Sequence, residues 1–288
     1  MTWVAWRQQR PLTLALLALV LLVAAGMAWL WADVSSVLPM DEEKLGVRYD
    51  FLTYVPMVML VLPVLVGMFA GAPVFARELE QGTHVFTLTQ SVGRTRWWVT
   101  KLLVAGVPVT IAMTLLGLLN AKALGPLSFL LSSRLQTPMF ESQGIVLGVY
   151  TAFAFTLGAT AGLLVRSTLG AMAITIGGYL ATLVVVSNAA RRNYAAPEYA
   201  ESSSVAPDAW RVDHGYLDAA GNPTTFSPGA CDPGALQECM ADQGIVGQFS
   251  WFHPPERFWD FQLLESGIVL LVAAVLLGAG AWAVRRIR

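Results

Sequence analysis

The most constraining feature of this sequence is a set of six apolar runs that contain no Asp, Glu, Lys or Arg. Each run has 18 to 25 residues. Because an α-helix rises about 1.5 Å per residue, about 20 such residues cross the hydrocarbon core of a bilayer. The sequence therefore predicts an all-α membrane protein with six transmembrane helices, which we call spans one to six. The runs are residues 12–32, 51–75, 102–119, 145–165, 169–186 and 266–284.

The composition of the chain supports the same conclusion. Of its 288 residues 56% are hydrophobic and 13% are charged, whereas soluble domains carry about 25% charged residues. The first run resembles a signal peptide because Arg7 and Arg10 precede it, but its 21 residues exceed the roughly 7–15 of a signal-peptide core. We therefore interpret residues 1–288 as one transmembrane domain.

The distribution of Lys and Arg predicts the orientation of the spans. With the N-terminus in the cytoplasm, the inner segments hold ten Lys and Arg residues and the short outer loops hold four, as the positive-inside rule requires. Both termini are then cytoplasmic, and residues 188–262 form a large extracellular loop between spans five and six. This loop is rich in aromatic residues, so we expect a small ordered cap. The net charge of −1 does not indicate a nucleic-acid partner.

The chain lacks the motifs of several enzyme classes. Phosphate binding by a P-loop needs Gly-Lys-Ser or Gly-Lys-Thr, and no lysine of this chain follows a glycine. The sequence contains neither a GxSxG elbow nor an HExxH helix, so an intramembrane enzyme is disfavoured. The apolar runs also lack the ionisable residues of ion-coupled carriers. Arg166 and Glu265 lie at run ends, where we expect their charged groups to reach water. We expect no catalytic residue, metal or cofactor in this chain.

The segment between spans two and three, residues 76–98, is the most informative loop. Arg77 and Glu80 are three residues apart and Gly82 follows them, which predicts a short amphipathic helix with a glycine cap, lying beside the bilayer. Basic residues here could enforce topology or contact anionic lipid. Glu78 and Glu80 gain nothing from an anionic leaflet, so we interpret them as part of a docking surface.

This segment resembles the permease subunits of type-2 ABC exporters, especially small six-span bacterial ones of the actinobacterial kind. The six spans and the large outer loop extend the resemblance across the chain. It implies that residues 76–98 dock on a separate ABC ATPase subunit. Two copies of this ATPase are expected, and they bind the ATP and Mg. It also implies a second permease chain, as a homodimer or heterodimer, in the bacterial plasma membrane. The implied ATPase-coupling residues are Arg77, Glu78, Glu80, Gln81, Gly82, Thr83 and Arg94.

The same resemblance implies that spans two and five line the substrate path. A Met-rich surface adapts to varied apolar cargo, so the expected substrate is a hydrophobic or amphipathic drug, peptide or lipid. Lipid contact or core packing explains these side chains equally well. The candidate path residues are Met57, Met59, Phe69, Thr175, Tyr179 and Thr182.

Glycine pairs four residues apart occur in span two, at Gly67 and Gly71, and at span four, at Gly144 and Gly148 and at Gly158 and Gly162. This spacing allows two helices to approach closely. We expect these glycines to pack helices within the chain rather than to form a dimer seam.

Two further features belong to the outer loop. Cys231 and Cys239 are the only cysteines, and on the oxidising side of the membrane we expect them to form a disulfide; two free thiols are the alternative. The loop also leaves open a second function, in which the chain is a non-transporting scaffold or sensor that binds a ligand or partner through residues 188–262.

Overall fold

The computed structural model describes residues 2–37, 54–83, 93–125, 133–227 and 236–286. Within these residues six helices are long and apolar enough to cross a membrane, so the prediction of six spans is confirmed. They are Thr2–Val37 (span one), Val55–Glu80 (span two), Arg94–Leu124 (span three), Val146–Val165 (span four), Thr168–Asn193 (span five) and Phe258–Arg285 (span six).

Several of these helices are longer than the apolar runs that predicted them. Span three begins at Arg94 rather than at residue 102, and span six begins at Phe258 rather than at residue 266. Charged side chains end an apolar run, but Arg, Lys and Glu are good helix formers. The helices therefore continue into polar residues at both ends of the bundle.

Span four is the centre of the bundle. In its apolar window 83% of the residues are buried, against 56% in span two, the next most buried. Spans two, three, five and six all pack against it. Span one packs on span three at the periphery.

Glycines let spans two and four approach closely. A Cβ added at Gly67 would lie 2.6 Å from the carbonyl oxygen of Ala154, and one added at Gly162 would lie 2.6 Å from that of Ala72. A Cβ at Gly158 would meet the carbonyl of Gly67. The prediction that these glycines pack helices within the chain is confirmed.

Span two contains a π-helical segment, Gly67–Gly71, between the α-helical parts Val55–Val66 and Pro73–Glu80. The Ala72 N–H donates to the Gly67 carbonyl at 2.8 Å, five residues back, as a π turn requires. Residues 73–80 thus continue span two, and the expected separate helix beside the bilayer is instead the end of this span. The helix ends at Glu80, and Gly82 follows it with a φ of 69°, which suits a glycine just after a helix C-terminus.

The loop between spans five and six contains a four-stranded antiparallel sheet, so the all-α prediction is wrong for this region. Alternating β-branched and aromatic residues in the two long strands explain it, because such residues favour a pleated surface. The strands, in the order β1-β4-β2-β3, are β1 Glu198–Glu201, β2 Trp210–Asp218, β3 Pro223–Thr224 and β4 Ile245–His253.

The two ends of the bundle differ in composition. We call one the basic end, because it carries the exposed residues Arg77, Arg94, Arg96, Arg166 and Arg285. The other, which carries the sheet and residues 133–145, we call the sheet end. Span five connects them: it begins beside span two at the basic end and finishes beneath the sheet.

Candidate coupling surface and sheet-end clamp

The predicted coupling residues lie at the basic end, and most of them are exposed. Glu78 is mostly buried. Residues 84–92, the part of the segment between Thr83 and Arg94, lie outside the described residues. We call the exposed set the coupling surface; it consists of Arg77, Glu80, Gln81, Gly82, Thr83 and Arg94.

Glu78 makes its contact inside the chain. Its Oε1 lies 2.6 Å from Nζ of Lys101, and the two side chains are 14% and 5% exposed. The Lys101 ammonium also donates to the Val74 carbonyl at 3.3 Å and lies 5.2 Å from the centre of the Trp97 ring, which adds a cation–π contact. This ion pair therefore joins the end of span two to the start of span three.

Glu80 connects span two to the start of span five. Its Oε2 accepts hydrogen bonds from the backbone N–H of Thr168 at 3.2 Å and from the Thr168 hydroxyl at 2.8 Å. The first N–H groups of a helix have no partner within the helix, and the helix dipole favours a negative charge at this end. Glu80 therefore caps span five while its side chain remains exposed.

The sheet end holds a buried arginine with a complete set of hydrogen bonds. Arg191, at the end of span five, is 1% exposed. Its Nε and Nη2 donate to the two oxygens of Glu265 at 2.9 and 2.8 Å. Nη2 also donates to Glu141, and Nη1 donates to the Leu135 carbonyl at 3.3 Å and the Thr137 hydroxyl at 3.1 Å. A guanidinium has five N–H donors, so five contacts use its whole capacity.

Both carboxylates that face Arg191 are also buried. Glu141 is 1% exposed and Glu265 is 0% exposed. Glu265 additionally accepts hydrogen bonds from the phenols of Tyr150 at 3.0 Å and Tyr194 at 3.2 Å. We call Glu141, Arg191 and Glu265 the sheet-end clamp. It ties the segment before span four to the end of span five and the beginning of span six.

Tyr194 lies just beyond span five, half-buried beside Glu265. Burial, reinforced by the neighbouring Glu265 carboxylate, raises the pKa of its phenol well above the ordinary value. The phenol donates its hydrogen bond to the Glu265 carboxylate.

The clamp was not predicted from the sequence. The expectation that the Glu265 carboxylate reaches water is wrong, because that side chain is fully buried. The apolar run of span five ends at residue 186, before Arg191, whereas the helix continues to Asn193. The available signal was one basic and two acidic residues, each beside an apolar run at the same end of the bundle.

The candidate path residues do not share one surface of the chain. Met59, Thr175 and Tyr179 are buried between helices, and the Tyr179 phenol donates to the Leu60 carbonyl at 3.1 Å. Thr182 is half-buried, and Met57 and Phe69 are exposed. Their role in a substrate path stays a prediction.

The predicted disulfide falls partly outside the described residues. Cys239 is disulfide-bonded, but Cys231 is not among the residues described, so the pairing is left to the mass measurement below. In the described part of the chain, no group of three or more His, Cys, Asp or Glu residues is placed to hold a metal ion.

Six apolar helices, one of them a buried central span, together with an exposed basic end, define a multi-pass membrane protein. A family model described as ABC-2 membrane transporter related matches residues 41–191, just over half of the chain. The chain therefore belongs to this family of transporter membrane subunits, and the resemblance inferred from the coupling motif is confirmed. The matched region includes the coupling surface and Arg191. No curated protein and no solved structure matches the chain.

Proposed function

We propose that this chain is the permease subunit of an ABC exporter. It moves a hydrophobic or amphipathic substrate outward, using ATP that a separate ATPase subunit hydrolyses. The assembly contains two ATPase subunits and a second permease chain. Family membership supports this proposal, and the contact between Glu80 and Thr168 is the observation that carries the mechanism.

The basic end is the cytoplasmic end in this proposal. Exposed arginines concentrate there, and Lys and Arg are retained on the cytoplasmic side of bacterial membranes. The coupling surface then faces the compartment that contains ATP. The sheet lies outside the cell, where the cysteines of its connecting segment can oxidise.

Residue labelling tests this orientation directly. In a variant without the native cysteines, Ala220→Cys in the exposed turn after β2 should react with an impermeant thiol reagent in intact cells. Thr83→Cys on the coupling surface should react only after the cells are opened. Labelling of Thr83→Cys in intact cells would place the coupling surface outside and overturn the proposal.

Span five is the element that transmits force between the two ends. It runs from Thr168 to Asn193, which corresponds to about 39 Å of helix. Glu80 holds its first residue to the coupling surface, and Arg191 holds its last turn in the sheet-end clamp. A movement of the coupling surface, driven by closure of the ATPases, is therefore delivered to the clamp.

The clamp is closed in this structure, and it keeps the sheet end shut until work is done on it. Removing one partner of a buried ion pair costs about 3–5 kcal/mol, so thermal fluctuation alone opens such a contact rarely. Export requires Arg191 to separate from Glu141 or Glu265. The substrate path then opens on the side of the sheet.

Three substitutions distinguish docking from force transmission. Gln81→Lys alters the exposed coupling surface and leaves the Glu80–Thr168 contact intact, so it should weaken co-purification with the ATPase. Thr168→Val removes the hydroxyl donor to Glu80 but no exposed docking group. It should preserve assembly and reduce substrate transported per ATP hydrolysed. Glu80→Lys should impair both assembly with the ATPase and the transport of substrate per ATP hydrolysed.

The readouts are co-purification with the ATPase encoded by a neighbouring gene and substrate-stimulated ATP hydrolysis. Gly82→Pro tests the backbone conformation of the segment, since proline cannot adopt the positive φ of this position. If Glu80→Lys and Gly82→Pro both leave assembly and coupled hydrolysis unchanged, the segment is only a topological anchor.

A further inference from the structure

An apolar groove lies on the outer surface of the bundle, where spans three and six separate over span four. Its volume is about 420 Å³. Leu102 and Val107 line its span-three wall, Leu277 lines its span-six wall, and Phe155 lies on its floor. Thr156 also lines the groove, but its hydroxyl donates to the Ala152 carbonyl of the same helix at 2.7 Å. The groove therefore suits an apolar occupant.

The depth of the groove depends on a glycine. A Cβ added at Gly106 would lie 2.8 Å from the Phe155 ring, so any larger residue would press on the floor. Along span three the lining extends from Trp98 to Ile111, which is about 20 Å of helix. The hydrocarbon core of one leaflet is about 15 Å deep. The groove is therefore long enough for an acyl chain that crosses one leaflet.

Basic residues stand on both walls at one end of the groove. On span three, Arg94 lies four residues before Trp98, on the same helical row. On span six, Arg285 lies eight residues after Leu277, also on one row. The walls meet at this end, because a Cβ at Gly280 would lie 3.3 Å from the Trp98 ring. Both arginines are exposed.

We propose that this groove binds one anionic phospholipid, with an acyl chain along span three and the phosphate between Arg94 and Arg285. A guanidinium matches phosphate oxygens with paired hydrogen bonds and retains its charge at any physiological pH. Trp98 lies where the apolar groove meets the charged end, as interfacial tryptophans do. The combination of an apolar groove and paired arginines favours an anionic lipid over a neutral one or a second protein chain.

The test uses the purified full-length chain without an ATPase, so that docking cannot affect the result. Native mass spectrometry measures how much phosphatidylglycerol and phosphatidylcholine the chain retains from mixed nanodiscs of equal composition. The wild-type chain should retain phosphatidylglycerol at least tenfold more than phosphatidylcholine. Val107→Trp, which fills the groove, should reduce this retention about tenfold.

Matched variants keep the result specific. Leu115→Trp adds the same ring at an exposed position on the same helix outside the groove and should retain lipid like the wild type. The double variant Arg94→Gln with Arg285→Gln should lose the preference for phosphatidylglycerol. Arg96→Gln, two residues along and on another face, should preserve it.

Equal retention of the two lipids by the wild-type chain would overturn the proposal. Retention by Val107→Trp that equals that of Leu115→Trp would also overturn it. If Val107→Trp instead converts a dimer to a monomer, a second copy of the chain covers the groove and the lipid assignment is wrong. Thermal unfolding of each variant confirms that the comparison is made between folded proteins.

Discussion

The two ends of span five use charge in opposite ways. At the basic end, Glu80 is exposed and holds Thr168 through two hydrogen bonds to one carboxylate oxygen. At the sheet end, Arg191 is buried and its five donors are all engaged. Breaking an exposed contact costs little free energy, whereas breaking a buried one costs much more. In the proposed mechanism the basic end receives the ATPase and the sheet end holds a closed state.

The largest expected effect comes from breaking the clamp. Arg191→Met should lower the free energy of unfolding by about 3–5 kcal/mol, because it leaves Glu141 and Glu265 buried without their cation. Thermal unfolding in detergent measures this loss. Arg192→Met is the matched control, because Arg192 is exposed, and surface substitutions change stability by less than about 0.5 kcal/mol.

A triple variant separates the clamp from simple packing. Glu141→Gln and Glu265→Gln, added to Arg191→Met, remove all three charges and should recover part of the lost stability, because no buried charge is then left without its partner. If the triple variant is as unstable as Arg191→Met, the loss comes from packing around Phe140, whose ring lies 4.0 Å from the guanidinium.

The next effect concerns the sheet end alone. A disulfide between Cys231 and Cys239 closes a short loop, and we expect it to contribute about 2–4 kcal/mol to local stability. The intact mass should fall by two hydrogens relative to the reduced protein. Reduction should destabilise the sheet and leave the basic end unchanged, as limited proteolysis would show. An unchanged mass would reject the bridge.

A double-mutant cycle sharpens the comparison further. We expect Glu80→Gln and Thr168→Val to couple by about 0.5–1.5 kcal/mol, the range of one exposed hydrogen-bonded contact. Arg191→Met and Glu265→Gln should couple more strongly, because both groups are buried. Equal coupling energies in the two cycles would mean that the exposed Glu80 contact and the buried Arg191 contact hold span five equally strongly.

The two ends differ in how far the sequence predicts them, and the reason is physical. The spans and residues 76–98 are recognised from residues that are close in the chain, by an apolar run or a short motif. The clamp joins residues 50 and 74 positions apart, and no local pattern encodes that pairing. Each of its charges only marked the end of an apolar run.

Glu80 shows the intermediate case. Its sequence context singled it out as an acid that lipid contact does not explain, and its role in docking stays a prediction. Its contact with Thr168, 88 residues away, required the fold. The sheet, in contrast, has a local sequence signal, because β-branched and aromatic residues alternate with other residues along β2 and β4. The high hydropathy of the whole chain favoured an all-helical prediction instead.

The smallest expected effect is a pH dependence confined to the sheet end. His253, the last residue of β4, is fully buried, and burial lowers the pKa of its imidazole. The nearby Arg257 guanidinium acts in the same direction, opposed by the Arg192 carbonyl and Glu198.

Because the folded state binds this proton less readily than the unfolded state, the stability of the sheet should be greatest above the ordinary histidine pKa of about 6.5. It should decline as the pH falls through the lowered pKa of the folded state. Hydrogen exchange of β4 between pH 7.5 and pH 5 measures this decline, and His253→Gln should abolish it. At the basic end, hydrogen exchange around Thr168, after correction for the intrinsic pH dependence of exchange, should show no matching change. A parallel decline there would mean that the two ends unfold as one unit and that span five does not separate their stabilities.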